Sequence, residues 1–166
     1  MTKITKVILL PEFTEGAFDN ATWTDMSHMT PDEIARMSSW VADVLEGKAH
    51  VGANKPSWLS KGELARGAEP YRDSNVWHYH CGPYRPKDYG TALTNNCLDA
   101  NYDGHHSTSV YHYAKNADTI VVVGYSRSHS PFPIPGGKKN PLVARGTQVT
   151  AQVQSGLLAT DPAKQQ

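Results

Sequence analysis

The sequence predicts an α+β fold, and three observations predict it. The first is a hairpin: from Thr108 to Ala114 and from Thr119 to His129 run two β-rich stretches around the polar turn Lys115-Asn-Ala-Asp. The second is the aromatic, β-prone run Val76-Trp-His-Tyr-His-Cys-Gly-Pro-Tyr-Arg, which reads as a further strand. The third is helical. Thr30-Pro31-Asp32-Glu33 offers a cap, a proline at the first helical position and a glutamate three residues after the cap. Ile34, Met37, Val41, Val44 and Leu45 then recur at helical spacing up to Gly47.

Taken in order, the chain begins with a β-prone run from Lys3 that Pro11 ends, so a first strand is expected there. The stretch from Phe13 to Met29 is mixed and polar, with Phe18 and Trp23 as anchors, and the capped helix follows. From Lys55 to Arg66 helix formers are interrupted by a Pro and a Gly, which predicts a short second helix flanked by loop. Lys55, Lys61, Arg66 and Arg72 gather here, each by itself an ordinary solvated charge. Pro86 to His106 reads as a long excursion between strands, a length that is usually functional or mobile. Beyond His129, Pro131-Phe-Pro-Ile-Pro-Gly-Gly cannot continue a sheet. Residues 1–135 are therefore expected to form the domain, and 136–166 a tail that is loosely ordered or docked on a partner.

Bulk properties bound the function. A chain of 166 residues with 11 Pro and 13 Gly is one domain with much irregular surface. No apolar run approaches the roughly 20 residues that span a bilayer, and no signal-peptide pattern opens the sequence, so a cytoplasmic protein without membrane contact is expected. Cys81 and Cys97 fit no metal or redox spacing and are read as reduced. The formal net charge is zero, which argues against gripping nucleic acid through bulk charge. The distribution is uneven: residues 1–50 carry 4 Lys/Arg and 8 Asp/Glu, whereas 111–146 carry 5 and 1, which permits a local anion site.

Side chains alternate across a strand, so parity assigns faces once a turn fixes the register. With Ala114 opposite Thr119, His112 falls opposite Val121 and shares a face with Val123, Tyr125, Arg127 and His129. His78 and His80 share one face of their strand, and Trp77, Tyr79 and Cys81 the other. The expected picture is a sheet whose open face gathers several imidazoles, a tyrosine and an arginine.

Histidine gives and takes a proton near neutral pH without heavy tuning. Of the eight in the chain, six fall between His78 and His129. With Arg85, Arg127, Tyr84 and Tyr125 they are parts for cutting RNA without metal or cofactor: a base for the ribose 2′-OH, an acid for the leaving oxygen, and cations on the phosphate. Each has a plainer reading. A lone strand histidine is more often a surface or hydrogen-bonded residue, Arg127 can equally be an ion-pair partner, and Tyr111 and Tyr113 read as core. Metal binding is the rival use of the imidazoles, through His78, His80 and His112 or through His105 and His106, although no spaced Cys or carboxylate completes a set.

The order of a first strand, a helical segment, the basic Lys61-Gly62-Glu63-Leu64 stretch, a strand from Trp77 ending Gly-Pro-Tyr-Arg85, and a hairpin from Tyr111 to His129 resembles the RelE/ParE toxin superfamily. The resemblance covers roughly residues 55–133. It implies a small twisted antiparallel sheet with N-terminal helices packed on one face and the other face binding RNA. It also implies an mRNA-cleaving toxin, in some members acting on the ribosome, held by a cognate antitoxin protein. Arg85 and Arg127 match family arginines, and Lys61 lies in the basic stretch. The site expected on these grounds has His78, His80, His112, His129, Arg127 and Tyr125 in the chemistry, and Arg85, Lys61 and Tyr84 on the RNA. The alternatives are a non-enzymatic, ParE-like inhibitor or protein-binding module, and a metal-dependent hydrolase.

Overall fold

The structure is a computed structural model that describes residues 3–92, 99–137 and 139–154. Its elements in chain order are β1 (Lys6–Leu9), α1 (Pro11–Thr14), α2 (Pro31–Glu46), β2 (Asn54–Pro56), β3 (Leu59–Ser60), β4 (Glu63–Leu64), α3 (Glu69–Asp73), β5 (Val76–His80), β6 (Val110–Asn116), β7 (Thr119–Ser126) and α4 (Leu142–Gln154). Five strands form one sheet in the order β1-β7-β6-β5-β2, and β3 and β4 form a separate hairpin. The fold is α+β as expected. The sheet is antiparallel except at one edge, where β1 lies parallel to β7. Ile120 to Val123 are wholly buried, which suits a continuous apolar run in an inner strand covered on both faces.

Helix α2 starts where the cap predicts. Thr30 Oγ1 accepts from the Glu33 amide at 3.2 Å, Pro31 opens the helix, and Gly47 closes it in the left-handed region at φ 72°. Its Trp40 packs on an aromatic floor supplied by two strands, with ring centroids 5.5 Å from Tyr79 on β5, and 4.9 Å from Tyr111 and 5.9 Å from Tyr113 on β6.

The second face is covered too, by part of the segment expected to be loosely ordered or docked on a partner. Helix α4 lies there, with Leu142 wholly buried against Gly124 and His112. Its Arg145 donates two bonds to the Asp25 carboxylate, at 2.9 and 3.1 Å, and one each to the carbonyls of Glu12 (3.0 Å) and Val123 (2.8 Å). The face opposite α2 is therefore not open: among the described residues α4 covers its middle and leaves its β5 side without a helix. Residues 155–166 lie outside the described residues.

Two local expectations are corrected. The predicted helix between Lys55 and Arg66 is instead β2 and the β3–β4 hairpin, whose two-residue turn has Lys61 at φ 52° and Gly62 at φ 83°. Both turn residues at positive φ match the twist of a hairpin, and Gly62 accepts that conformation without cost. At the other hairpin Asn116 pairs with Thr119, leaving a two-residue turn in place of four. Lys115 belongs to the strand, its ammonium 3.4 Å from the centroid of the Trp77 ring.

That second correction leaves the parity of the strands intact, but a further irregularity does not. The register shifts by one residue between His112 and Tyr113: Tyr113 faces Val122 and His112 faces Gly124, so Val123 has no partner on β6. One extra residue transfers everything after it to the other face. Tyr125 therefore stands opposite Tyr111 on the α2 side, their ring centroids 5.8 Å apart, and the expected grouping of Tyr125 and Arg127 with His112 is overturned.

Removing the Arg145 guanidinium leaves the Asp25 carboxylate, 2% exposed, buried without its counter-charge. Arg145→Met is expected to cost about 3–5 kcal/mol. Urea unfolding of Arg145→Met, Asp25→Asn and the double variant checks this. The double should lose much less than the sum of the singles, and a loss under about 1 kcal/mol for Arg145→Met contradicts the role given to α4.

Candidate active site

Strand β5 places His78 and His80 two residues apart on the face opposite α2. Neighbouring β2 puts Lys55 opposite His78. After β7 the chain leaves the sheet, and the His129 amide donates to the Thr108 carbonyl at 3.0 Å, bringing the His129 ring over the end of β5. His106 arrives from the long excursion, which is pinned to the segment after α2 by Ala53 N to His105 O at 2.8 Å and Asn101 N to Asn54 O at 2.7 Å.

These elements enclose a cavity of about 710 Å³. Its polar lining includes Lys55, Lys61, His78, His80 and His129, and its apolar lining is Leu59, Ala65, Phe132 and Ile134, with the Tyr102 ring at the rim. Among the described residues no carboxylate lines it. Ring centroids lie 5.5 Å apart for His78 and His80, 4.9 Å for His80 and His129, 6.2 Å for His78 and His129, and 4.8 Å for His80 and His106.

Hydrogen bonds fix how the rings present themselves. His129 Nδ1 donates to the Thr108 carbonyl at 2.5 Å, which leaves Nε2 of the neutral ring as a proton acceptor. His80 Nδ1 lies 2.9 Å from the carbonyl oxygen and 3.1 Å from the amide nitrogen of Ser107, so the backbone there can serve either tautomer; its Nε2 is buried without a partner. His78 Nδ1 shares a hydrogen bond of 3.0 Å with Ser57 Oγ. The Lys55 ammonium donates to His106 Nδ1 at 3.4 Å.

Burial holds the imidazoles neutral. It pushes His78 well below the ordinary range, with His80 and His112 adding like-charge repulsion. His80 is lowered to about 3, by burial first and His129 second, and His129 and His106 are lowered chiefly by burial. Lys55 is lowered by burial as well. An anion arriving beside these groups reverses the balance, because opposite charge favours the protonated forms. The cavity is suited to receive a phosphate and to take up protons as it does so.

The other residues expected in the site lie elsewhere. His112 is wholly buried beneath the cavity: Ser126 Oγ donates to the Thr22 carbonyl, so His112 Nε2–H donates to Ser126 Oγ at 2.8 Å, and its ring lies 5.4 Å from Trp23. Arg127 binds Glu33 of α2 at 2.9 Å and the His28 carbonyl at 3.2 Å, which is the ion-pair role open to it from the sequence. Tyr125 is buried on the α2 side. Tyr84 donates to the His80 carbonyl and lines a separate cleft with Trp40 and His50. Arg85 is exposed beyond the end of β5, bonded to Asp88 at 2.8 Å. Of the expected set, His78, His80, His129 and Lys61 come together. Lys55, Ser57 and Phe132 complete the place without having been singled out for chemistry, and His106, expected only as part of a rival metal set, stands beside His80.

Among the described residues no group of three or more His, Cys, Asp or Glu is arranged to hold a metal ion. Burial pushes the Cys81 thiol up to about 12, which makes it a packing group, and Cys97 lies outside the described residues. No helix among the described residues is long and apolar enough to cross a membrane. Comparison with known proteins gave no match to a family model, a curated protein or a solved structure.

Imidazoles held neutral by burial stabilise the fold at neutral pH and oppose it in acid. The unfolded rings protonate below about 6.5, whereas folded His80 and His112 resist until about 3. Stability is therefore full above pH 6.5 and falls continuously toward pH 3, by roughly 2 kcal/mol for each such ring between pH 7 and 5. Urea midpoints measured from pH 7.5 to 5 check this. His112→Gln should flatten the slope, and a flat profile in the parent protein contradicts the neutral cluster.

Proposed function

We propose that the chain is a metal-independent endoribonuclease that cuts RNA by attack of a ribose 2′-OH on the adjacent phosphate. The observation that carries this reading is the meeting of His78, His80, His129 and Lys55 at one cavity that, among the described residues, no carboxylate lines. Paired imidazoles provide proton transfer in both directions, and an ammonium stabilises the charge that builds on phosphorus.

In this mechanism the phosphodiester lies between His129 and the β5 pair. His129 Nε2, already an acceptor, takes the 2′-OH proton as the oxygen attacks phosphorus. The bond from phosphorus to the 5′ oxygen breaks, and that oxygen receives a proton from His78 or His80, charged by the nearness of the phosphate. Lys55, with Lys61 at the mouth, holds the non-bridging oxygens. The products are a 2′,3′-cyclic phosphate and a 5′-hydroxyl end, with no change of redox state.

The finer reading, a RelE-like toxin of a toxin–antitoxin pair acting on mRNA and restrained by a cognate antitoxin protein, draws its support from the order of elements and the resemblance of residues 55–133. The two arginines that the resemblance points to, Arg85 and Arg127, stand away from the cavity. They lend no support to cleavage on the ribosome.

Purified protein without an affinity tag should cleave an unstructured RNA in excess chelator and leave cyclic phosphate ends. His129→Ala and Lys55→Ala should each lower the rate about 100-fold or more, whereas Arg127→Gln should weaken the fold and leave the rate within a few-fold. Loss of cleavage in chelator, or full activity in both cavity variants, overturns the proposal.

A further inference from the structure

The phosphate chemistry uses only one wall of the cavity, and the other wall has no part in it. At about 710 Å³ the space is that of a whole small-molecule site, far more than a phosphate needs. Leu59 and Ala65 on the β3–β4 side face Phe132 and Ile134 on the strap that follows β7, and all four line the same space as Lys55 and the imidazoles. Two large apolar side chains that line the cavity are left exposed at its mouth: Ile134 is 62% exposed and Tyr102 48%. A ligand that satisfies both walls carries an anion joined to a flat, largely apolar body.

We infer that the cavity is a nucleotide site in which the apolar wall takes an unpaired base while Lys55 and the imidazoles take the phosphate attached to it. This rests on the phosphate-binding reading of the polar wall and goes beyond it by naming what the rest of the space is for. A base enclosed between the hairpin and the strap is a base removed from its stack. The substrate is consequently single-stranded, and Leu59 and Ile134 set how strongly the base is held. Contact of a base with an apolar or aromatic wall is sequence-tolerant, since every base has a π-face. The discrimination expected here is by the presence and size of the base, with no one base read by a hydrogen-bond code.

The test is equilibrium binding to the intact chain of adenosine 3′-monophosphate, uridine 3′-monophosphate, ribose 5-phosphate and inorganic phosphate, followed by calorimetry. Nucleotides should bind about tenfold or more tightly than ribose phosphate. Ile134→Ser and Leu59→Ser, both at incompletely buried positions, should close that gap while leaving ribose phosphate binding unchanged. Lys55→Ala should weaken all the phosphates together. Equal affinity for nucleotides and ribose phosphate, with Lys55-dependent binding intact, overturns the base wall and leaves the anion site standing. If none of the phosphates binds in a Lys55-dependent manner, the nuclease reading and this inference fall together. A single-stranded oligoribonucleotide should displace bound uridine 3′-monophosphate, and a duplex should not. Failure of the single strand to displace it assigns the site to free nucleotides, which overturns the nuclease and keeps the inference. Equal displacement by duplex overturns the inference.

Discussion

The unpaired residue Val123 decides which side of the sheet each chemically useful side chain occupies. A strand in perfect alternation sends Tyr125 and Arg127 to the face that holds His112, whichever odd-numbered residue of β7 stands opposite it. The one-residue shift between His112 and Tyr113 sends them to the α2 side instead. A bulge leaves a backbone group without its ladder partner, and here the Val123 carbonyl finds the Arg145 guanidinium at 2.8 Å. The same guanidinium holds Asp25, so the bulge, α4 and the segment before α2 are tied at one buried point. Docked there, α4 covers the middle of the sheet and buries His112, and among the described residues the strip over β5 and β2 is left without a helix over it.

What remains uncovered is chemically uniform. Lys55, His78, His80 and His129 meet there with no acidic side chain among the lining residues, and the apolar hairpin and strap close around them. Buried or partly buried and neutral, these imidazoles place no charge in the fold at pH 7, yet they accept protons when an anion brings compensating charge. The acidic residues of the N-terminal third are spent elsewhere, Asp25 on Arg145 and Glu33 on Arg127. Charges that are segregated along the chain are thus paired in space, and the cavity's lysines come from the stretch between them.

Local signals were the legible ones. The cap at Thr30, the stop at Gly47, the strand containing His78 and His80, and the existence of the β6–β7 hairpin all follow from short-range spacing, because turn and capping chemistry act within a few residues. The bulge at Val123 was not legible, since nothing in Ile120-Val-Val-Val-Gly distinguishes one valine from the next. The parallel pairing of β1 with β7 and the docking of α4 depend on partners more than a hundred residues apart. Lys55 was hidden for a related reason: the stretch from Lys55 to Arg66 reads as a short, interrupted helix, and the role of Lys55 comes from β2 pairing with β5. His129 was expected on the right face for the wrong reason. It reaches the cavity because the chain leaves the sheet after Ser126, where strand parity no longer applies.

The account rests on imidazoles that stay neutral in the empty cavity and gain protons when a phosphate enters it. Ring titration of the histidines by NMR, with and without saturating adenosine 3′-monophosphate, tests this most directly. His80 and His112 should remain neutral through pH 5 in the free protein, and His78 should titrate well below the ordinary imidazole range. The nucleotide should raise the titration of at least one of His78, His80 and His129 by about a unit or more and leave His112 unmoved. Rings that titrate near 6.5 in the free protein, or that do not respond to the nucleotide, contradict it.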